Sequence, residues 1–307
     1  MRLHHLVRYL STNVWAIEPS FLAAGQQLIR EALRGRSFTG LELHAELGIP
    51  SPDEDRVATR AQAAGQARIA VVPIMGVIED HASSLGTSAR QIDAAFSQAL
   101  ASRKVDAILF DVDSPGGVVT LVPELADKIA TARGRGTKPM LAFNGGLMAS
   151  AAYWIGAAAG EIMVTPSGQA GSIGVFTWHE DWSRHLQNEG IDITEFSAGK
   201  FKTEGAPWKP LTEEAAAHIQ ASVERAYGWF VKSVAANRRD TQTAVREGYG
   251  RGRMLGADQV LAANLADRIG TFEEAVERLA GQVQRQSGRR GTAQARELDL
   301  DVMARRP

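Results

Sequence analysis

The sequence contains no cysteine among its 307 residues. That absence excludes disulfides, thiolate metal sites and a cysteine nucleophile. The chain also has almost no net charge, formally −1 at pH 7, so no overall field attracts it to nucleic acid or to an anionic membrane. No apolar run is long enough to span a bilayer, and the N-terminal residues lead into polar ones rather than into the apolar core of a signal peptide. We therefore expect a protein of the cytoplasm that binds neither nucleic acid nor membrane.

Three regions of the chain differ in composition. Residues 1–67 combine helix-like spacing of apolar residues over 15–48 with a polar, linker-like stretch from Pro50 to Ala67. Residues 68–281 carry the motifs described below, and residues 282–307 are arginine-rich and polar with little to bury. The sequence thus predicts a helical N-terminal extension with a linker, one main domain and a flexible polar tail.

Strand-like and helix-like segments alternate through the main region. This order predicts an α/β fold with a largely parallel sheet, in which ligands bind at the carboxyl ends of the strands. The predicted strands are 68–78, 106–112, 139–143 and 161–164, and the predicted helices are 88–102, 121–133, 150–159 and 212–237, with short helices within 256–281.

Ser150 stands among small residues, directly after a predicted strand and at the start of a predicted helix. Backbone N–H groups and the positive end of the helix dipole would lie next to its hydroxyl. An acyl-transfer enzyme places its nucleophile at such a turn. The neighbouring Gly145, Gly146, Ala149 and Ala151 are equally typical of a closely packed helix, so this segment alone leaves both interpretations open.

Three further segments could complete an acyl-transfer site. Asp113-Ser114-Pro115-Gly116-Gly117 follows a predicted strand, and its glycines could direct N–H groups at an oxyanion, although a plain turn uses the same residues. A serine lies in Gly171-Ser172-Ile173-Gly174-Val175, and two lysines lie in Gly199-Lys200-Phe201-Lys202. A lysine acts as a general base only when burial lowers its pKa, and a solvated surface is the commoner place for one.

In this order, these segments and the closing stretch Ala257 to Gly270 resemble the signal peptide peptidase A family of serine–lysine peptidases, over roughly residues 68–281. The chain is most similar to the phage branch of that family, the head-maturation (capsid-assembly) proteases of the lambda protein C type. Three features favour this branch: no signal or membrane anchor is recognised, Trp15-Ala16-Ile17-Glu18-Pro19 precedes the main domain, and Lys202 keeps the phage spacing to the glycine and proline that follow. Phage relatives often continue into a long scaffold-like region, whereas only residues 282–307 follow here, so we expect any scaffold to be a separate protein.

The resemblance implies a ClpP/crotonase-type fold with a Ser-Lys dyad. Ser150 would be the nucleophile, and Lys202 would be the general base, preferred over Lys200 because of the phage spacing. Ser172 would hydrogen-bond the Lys202 amine and orient it. The N–H groups that would form the oxyanion hole are those of Gly117 or Gly116 and of Ala151.

The resemblance also implies what accompanies the dyad. The chemistry needs no metal and no other cofactor. The substrates would be proteins or peptides, namely capsid, scaffold or portal proteins during procapsid maturation, and the chain could also cleave itself. Members of the family form homo-oligomeric rings in which serine and lysine can come from neighbouring subunits. We therefore expect a ring with active sites near its subunit interfaces, in the host cytoplasm or inside the procapsid.

Four alternative functions compete with phage maturation. A free-standing bacterial signal-peptide-peptidase-like enzyme would have the same sequence features. A Ser-His-Asp peptidase of the ClpP branch needs a histidine soon after the serine helix, but His179 lies beyond Phe176 and is more typical of an exposed or capping residue. A crotonase-like acyl-CoA enzyme would leave Ser172 and Lys202 without a role. A non-catalytic capsid assembly protein on the same fold is opposed only by the intact set of Ser150, Ser172 and Lys202.

Overall fold

A computed structural model describes residues 14–20, 60–64, 67–80 and 86–304 of the chain. Within these ranges the strands alternate with helices, which confirms the predicted mixed α/β fold. The strands are β1 (Trp15–Ile17), β2 (Arg60–Ala64), β3 (Ala67–Met75), β4 (Ala107–Ser114), β5 (Gly116–Val118), β6 (Met140–Ala149), β7 (Ile162–Val164), β8 (Gln169–Gly171), β9 (Met254–Gly256) and β10 (Arg268–Ile269).

Several helices of the described ranges begin with a side-chain cap. The Ser88 side chain accepts a hydrogen bond from the Gln91 N–H, and the Thr212 side chain accepts one from the Ala215 N–H. The helices are α1 (Ala89–Ala101), α2 (Val122–Gly134), α3 (Ala151–Ala158), α4 (Ser183–Asn188), α5 (Glu213–Arg238), α6 (Gln242–Gly248), α7 (Ala257–Ala262) and α8 (Phe272–Ala304), with a short 3₁₀ turn at Gly250–Gly252.

The central sheet is mostly parallel. Its strands lie in the order β10-β7-β6-β4-β3-β2, and β8 pairs with β6 and with β9. Only the β2–β3 and β8–β9 pairs of this sheet are antiparallel. A separate two-stranded antiparallel pair joins β1 to β5. Because β4 and β6 run parallel, the segments that follow them meet at one edge of the sheet.

Both faces of the sheet are buried, as a parallel sheet requires. Ala70, Val72 and Ile74 of β3 belong to the larger core cluster, which also contains residues of α1, α2, α3 and α5. The alternate residues Ile69 and Val71 belong to a smaller cluster with α8. This alternation follows from the two-residue repeat of a strand.

Helix α3, which begins after Ser150, lies deep in the larger cluster. All eight of its residues are buried. The Trp154 ring stacks on the Phe230 ring of α5 with a centroid separation of 4.4 Å and an angle of 4° between the ring planes. The Tyr153 hydroxyl donates to the Leu265 carbonyl oxygen at 2.9 Å. The helix that positions Ser150 is therefore fixed by packing along its whole length.

Two predicted segments after the N-terminal region differ from the structure. The strand predicted at 139–143 continues to Ala149, because Leu147, Met148 and Ala149 pair with β8. The two glycines lie where the register between β4 and β6 shifts, and the Asn144 side chain bridges this irregularity: its amide donates to the Gln169 carbonyl oxygen at 2.9 Å, and its oxygen accepts from the Gly146 N–H at 3.1 Å. The tail predicted to be flexible from 282 onward is helical as far as Ala304, and its many Ala, Arg, Gln and Leu residues favour a helix.

The N-terminal region departs from the prediction at both of its described ends. Residues 15–17 form β1 where helix-like spacing was predicted, and the predicted linker at 50–67 ends in β2. A strand of three residues forms here because a partner strand, β5, pairs with it. Most other residues of 1–67 lie outside the described ranges, so the helical extension stays a prediction. Among the described residues, no helix is both long and apolar enough to cross a membrane.

Candidate active site

Ser150 occupies a sharp turn between β6 and α3. Its backbone dihedrals are φ 52° and ψ −115°, which place a non-glycine residue in a sparsely populated region. Its N–H donates to the Gly171 carbonyl oxygen at 2.9 Å, and its carbonyl oxygen accepts from the Trp154 N–H at 2.9 Å. Strain at a strand-to-helix serine is the geometry of a nucleophile elbow.

The small residues around Ser150 let another backbone segment approach closely. A Cβ atom built on Gly116 would lie 3.0 Å from the Ala149 carbonyl oxygen and 3.0 Å from the Ala151 nitrogen. Gly116 also has φ +94°, a conformation that side chains rarely adopt. The strand-to-helix turn and the Pro-Gly-Gly turn therefore contact each other, and the two interpretations of the small residues, close packing and an active site, are compatible.

Ser172 lies beside Ser150 because of strand register. Strands β6 and β8 are parallel, with Ala149 opposite Gly171, so the two serines follow neighbouring positions. Ser172 is nearly buried and has φ 51°. Its N–H donates to the Arg253 carbonyl oxygen at 2.9 Å, and its hydroxyl has no hydrogen-bond partner within the described ranges. That hydroxyl is free to bind an incoming amine.

The Ser150 hydroxyl itself is weakly bound and fully buried. Its Oγ donates to the Gly174 carbonyl oxygen at 3.4 Å, a long contact for a hydrogen bond between oxygens. The side chain has no solvent exposure. The eight-residue helix α3 directs its N-terminal N–H groups toward the same turn. This environment favours negative charge next to the hydroxyl.

The two glycines of the Pro-Gly-Gly turn are not equivalent. The Gly116 N–H donates to the Ser114 Oγ at 3.2 Å, and the Ser114 hydroxyl donates to the Gly76 carbonyl oxygen at 2.6 Å. Gly117 needs the absence of a side chain, since a Cβ atom there would lie 1.8 Å from the Ile78 carbonyl oxygen. The Gly116 N–H is thus engaged within its own turn, whereas the Gly117 N–H faces β1, with Ala16 opposite, so Gly117 is the better candidate for a donor to a bound chain.

Strand β1 lies directly against these glycines. Ala16 is opposite Gly117 in the antiparallel pair, and Ile17 is opposite Gly116. On its other edge, the Trp15 N–H donates to the Phe176 carbonyl oxygen at 2.8 Å. From the sequence, residues 15–17 were predicted to belong to a helix-like region, and Trp15 to Pro19 were recognised only through the family resemblance. An apolar run ended by Pro19 is a strand signal that could have indicated it.

Lys202 is not joined to the two serines in a single copy of the chain. It is exposed, and its N–H donates to the Gly199 carbonyl oxygen at 3.1 Å in a turn. Within the described ranges, no hydrogen bond or ion pair connects its amine with Ser150 or Ser172. The Lys200 amine instead pairs with Glu214 at 2.9 Å.

Lys202 belongs to an exposed loop, residues 189–211, that we call the lysine arm. Glu195 ties the arm together, since it accepts from the Lys209 amine at 2.8 Å, from the Thr203 hydroxyl at 2.9 Å and from the Trp208 indole. These hydrogen bonds lower the pKa of Glu195 to about 2, and the bond from Lys209 has the largest effect. The arm nevertheless exposes large apolar side chains: Ile191, Ile193, Phe196, Phe201, Trp208 and Leu211.

The alternative residues do not form a competing site. The His179 ring contacts the Ala206 carbonyl oxygen at 3.4 Å, near the lysine arm, and makes no hydrogen bond to Ser150. Among the described residues, no group of three His, Cys, Asp or Glu side chains could hold a metal ion.

The chain is similar to peptidases over most of its length. The family model for peptidase family S49 matches residues 132–286, just over half of the chain. Capsid assembly protease C of Escherichia phage lambda is 27% identical over 98% of this chain and 72% of the relative.

Two other relatives are matched over smaller shares. Head-tail preconnector protein GP5 of Enterobacteria phage P21 is 32% identical over 54% of this chain, and Protease 4 of Salmonella typhi is 31% identical over 69% of it. The matched part spans 34% of the length of each of these two relatives. The S49 family has a ClpP-like fold, in agreement with the mostly parallel sheet described above. The match over residues 132–286 includes Ser150, Ser172 and Lys202, and it shows that the chain belongs to peptidase family S49 and is a serine peptidase.

Proposed function

We propose that the chain is an endopeptidase that cleaves capsid, scaffold or portal proteins during phage head maturation, with Ser150 as nucleophile and Lys202 as general base. The observation that carries the chemistry is the strained Ser150 turn. It lies beside Ser172, whose hydroxyl has no hydrogen-bond partner among the residues that the structure describes, and next to the backbone of Gly116 and Ala151. Similarity to the lambda capsid assembly protease over 98% of the chain supports the biological role.

The general base would come from a second copy of the chain. A lysine accepts a proton only when its amine is uncharged, and burial favours the uncharged form. Lys202 is exposed in a single copy, on an arm that also exposes Phe196 to 95%. Packing of this arm on a neighbouring subunit would bury both side chains and could bring the amine to Ser172 there.

The proposed reaction proceeds through an acyl-enzyme. Lys202 accepts the Ser150 proton while Ser150 Oγ attacks the scissile carbonyl carbon, and the N–H groups of Gly117 and Ala151 stabilise the oxyanion. The Lys202 ammonium then donates its proton to the leaving amine as the C–N bond breaks. In deacylation, Lys202 accepts a proton from water, the hydroxide attacks the ester, and Ser150 regains its proton as the acyl group leaves.

Co-expression with candidate capsid, scaffold and portal proteins tests the proposed substrates. Intact-mass measurement should reveal new fragments with the wild-type chain and none with Ser150→Ala. Fragments from host membrane or signal peptides alone would favour the alternative of a free-standing bacterial peptidase. Normal particle maturation with Ser150→Ala would establish a non-catalytic assembly role instead. We place the enzyme in the host cytoplasm or the procapsid interior, where those substrates are found.

Separate alanine substitutions of Lys202 and Lys200 test which lysine is the general base. Lys202→Ala should slow cleavage by about 10²–10⁴-fold, the usual contribution of a general acid–base. Lys200→Ala removes a charge two residues away and should retain most of the rate. Mixing Ser150→Ala with Lys202→Ala subunits should restore activity if serine and lysine come from different copies. Cleavage that survives Lys202→Ala would contradict the assignment, and mixed subunits without activity would place both residues in one copy.

A further inference from the structure

The N-terminal segment lies in a slot with hydrogen-bonding strand edges on both sides. Toward Phe176, the Trp15 N–H donates to the Phe176 carbonyl oxygen at 2.8 Å and the Phe176 N–H donates to the Trp15 carbonyl oxygen at 2.9 Å. Toward β5, the Glu18 N–H donates to the Pro115 carbonyl oxygen at 2.8 Å, and the Val119 N–H donates to the Val14 carbonyl oxygen at 3.1 Å. An extended peptide recognised through its main chain makes bonds of this kind.

The middle of the segment meets the proposed catalytic groups. The Cβ position of Gly116 is 2.3 Å from the Ala16 carbonyl oxygen and 3.0 Å from the Ala151 nitrogen. Ala16 is also the residue opposite Gly117. The Ala16 carbonyl oxygen and the Ala151 nitrogen therefore both approach Gly116 at the place where its side chain would be, and the same carbonyl group faces Gly117, as a substrate carbonyl in an oxyanion hole would.

The segment and the nucleophile are closed off from solvent. Trp15, Ala16 and Ile17 are 1%, 0% and 3% exposed, and Ser150 is 0% exposed. A buried serine hydroxyl cannot reach a protein substrate unless something that covers it moves. Within the described ranges, strand β1 pairs with β5 and, through Trp15, with Phe176, and it does not join the central sheet.

From these contacts we infer that residues 14–18 are an intramolecular occupant of the substrate groove, bound as a substrate strand binds, and that they must leave before another peptide can enter. The inference rests on the proposed role of Ser150. It adds that the enzyme is autoinhibited by its own N-terminal segment, and that the groove accepts an extended peptide with a small residue opposite Gly117.

Expelling the segment is the first arm of the test. In full-length Ser150→Ala protein, Ala16→Asp would bury a carboxylate in a dry slot, so the segment should leave it. The probe is a fluorescein-labelled peptide with the sequence of residues 13–19, followed by anisotropy. We expect Ala16→Asp to bind it at least about tenfold more tightly than the parent, because a tethered competitor acts at a high effective concentration. The matched control is Ala216→Asp, at an exposed alanine of α5.

The second arm of the test locks the segment in place with a disulfide. Because the chain contains no cysteine of its own, an introduced pair cannot form a disulfide with a native cysteine. Val14→Cys with Val119→Cys joins two opposed residues, and hydrogen-bonded strand pairs have Cα atoms about 5.5 Å apart, within the range of a disulfide. In an otherwise wild-type chain, oxidation should lower peptidase activity at least about tenfold, and reduction should restore it. Each single-cysteine chain should be indifferent to the oxidant.

The outcomes separate this inference from the proposed function. Equal peptide binding by parent and Ala16→Asp, or equal activity of the oxidised and reduced pair, would overturn autoinhibition. Loss of cooperative unfolding in Ala16→Asp would also overturn it, since β1 would then be a permanent part of the core. A third outcome is tighter peptide binding by Ala16→Asp together with no cleavage by the chain that keeps Ser150. That outcome would support the groove assignment and refute the peptidase mechanism.

Discussion

Replacing the strained serine by glycine should stabilise the fold while it abolishes catalysis. Ser150 has φ 52° and ψ −115°, and a non-glycine residue in such a region costs about 1–3 kcal/mol. Glycine relieves that cost but loses more conformational entropy on folding, which offsets roughly 0.5–1 kcal/mol. Ser150→Ala removes the hydroxyl and keeps the Cβ atom, so it is the proper reference. We expect Ser150→Gly to exceed Ser150→Ala in free energy of unfolding by about 0.5–2 kcal/mol.

Urea unfolding with linear extrapolation measures this difference in free energy of unfolding. All variants are compared at the same protein concentration, because oligomerisation changes the apparent stability. Thermal unfolding should show a Tm higher by roughly 1–8 °C, since about 2–4 °C corresponds to each kcal/mol in domains of this size. Ala149→Gly is the control, because Ala149 has ordinary strand backbone. This change should lower the free energy of unfolding by roughly 0.5–1 kcal/mol or more. A Ser150→Gly protein that unfolds at or below the urea midpoint of Ser150→Ala would refute the strain at this turn.

Three further predictions concern the packing and charges around the site. Trp154→Ala removes the ring stacked on Phe230 and should cost about 3–5 kcal/mol in calorimetry, whereas Trp154→Phe should recover much of it. Asp106, whose pKa is lowered chiefly by its hydrogen bond from Arg68, stabilises the fold above its unfolded pKa and loses this effect as the pH falls through its folded pKa. Asp106→Asn should therefore cost about 0.5–1 kcal/mol at pH 7 in urea unfolding and progressively less below about pH 4, because the pair is partly exposed; a cost that does not vary with pH would contradict this. Glu195→Gln should loosen the lysine arm and lower the peptidase rate by about tenfold with little change in Tm, and an unchanged rate would show that the arm does not position the base.

The α/β alternation and the Ser150 turn could be predicted because their signals are local. Val71, Val72 and Ile74 favour a buried strand, and the small residues around Ser150 leave room for a tight turn. The length of β6 could not be predicted in the same way. Its two glycines are typical of a turn, and the strand continues past them because Leu147 to Ala149 pair with β8, a later segment of the chain.

Strand β1 and the place of Lys202 depend on distant partners. Three residues such as Trp15–Ile17 form a strand only where β5 and Phe176 provide edges, and both of these partners lie about a hundred or more residues away in the sequence. The family resemblance assigned Lys202 a role, but the single chain leaves this residue exposed on the lysine arm. In the proposed mechanism its catalytic position depends on an interface between copies, which local sequence patterns do not specify.

Trapping the acyl-enzyme tests the central claim most directly. A peptide substrate is mixed with the enzyme, the reaction is stopped with acid, and the digested protein is mapped by mass spectrometry. We expect an acyl adduct on the peptide that contains Ser150. The adduct should be absent in Ser150→Ala and unchanged in Ser167→Ala, a control at an exposed serine. An adduct on another residue, or substrate fragments produced by Ser150→Ala, would contradict it.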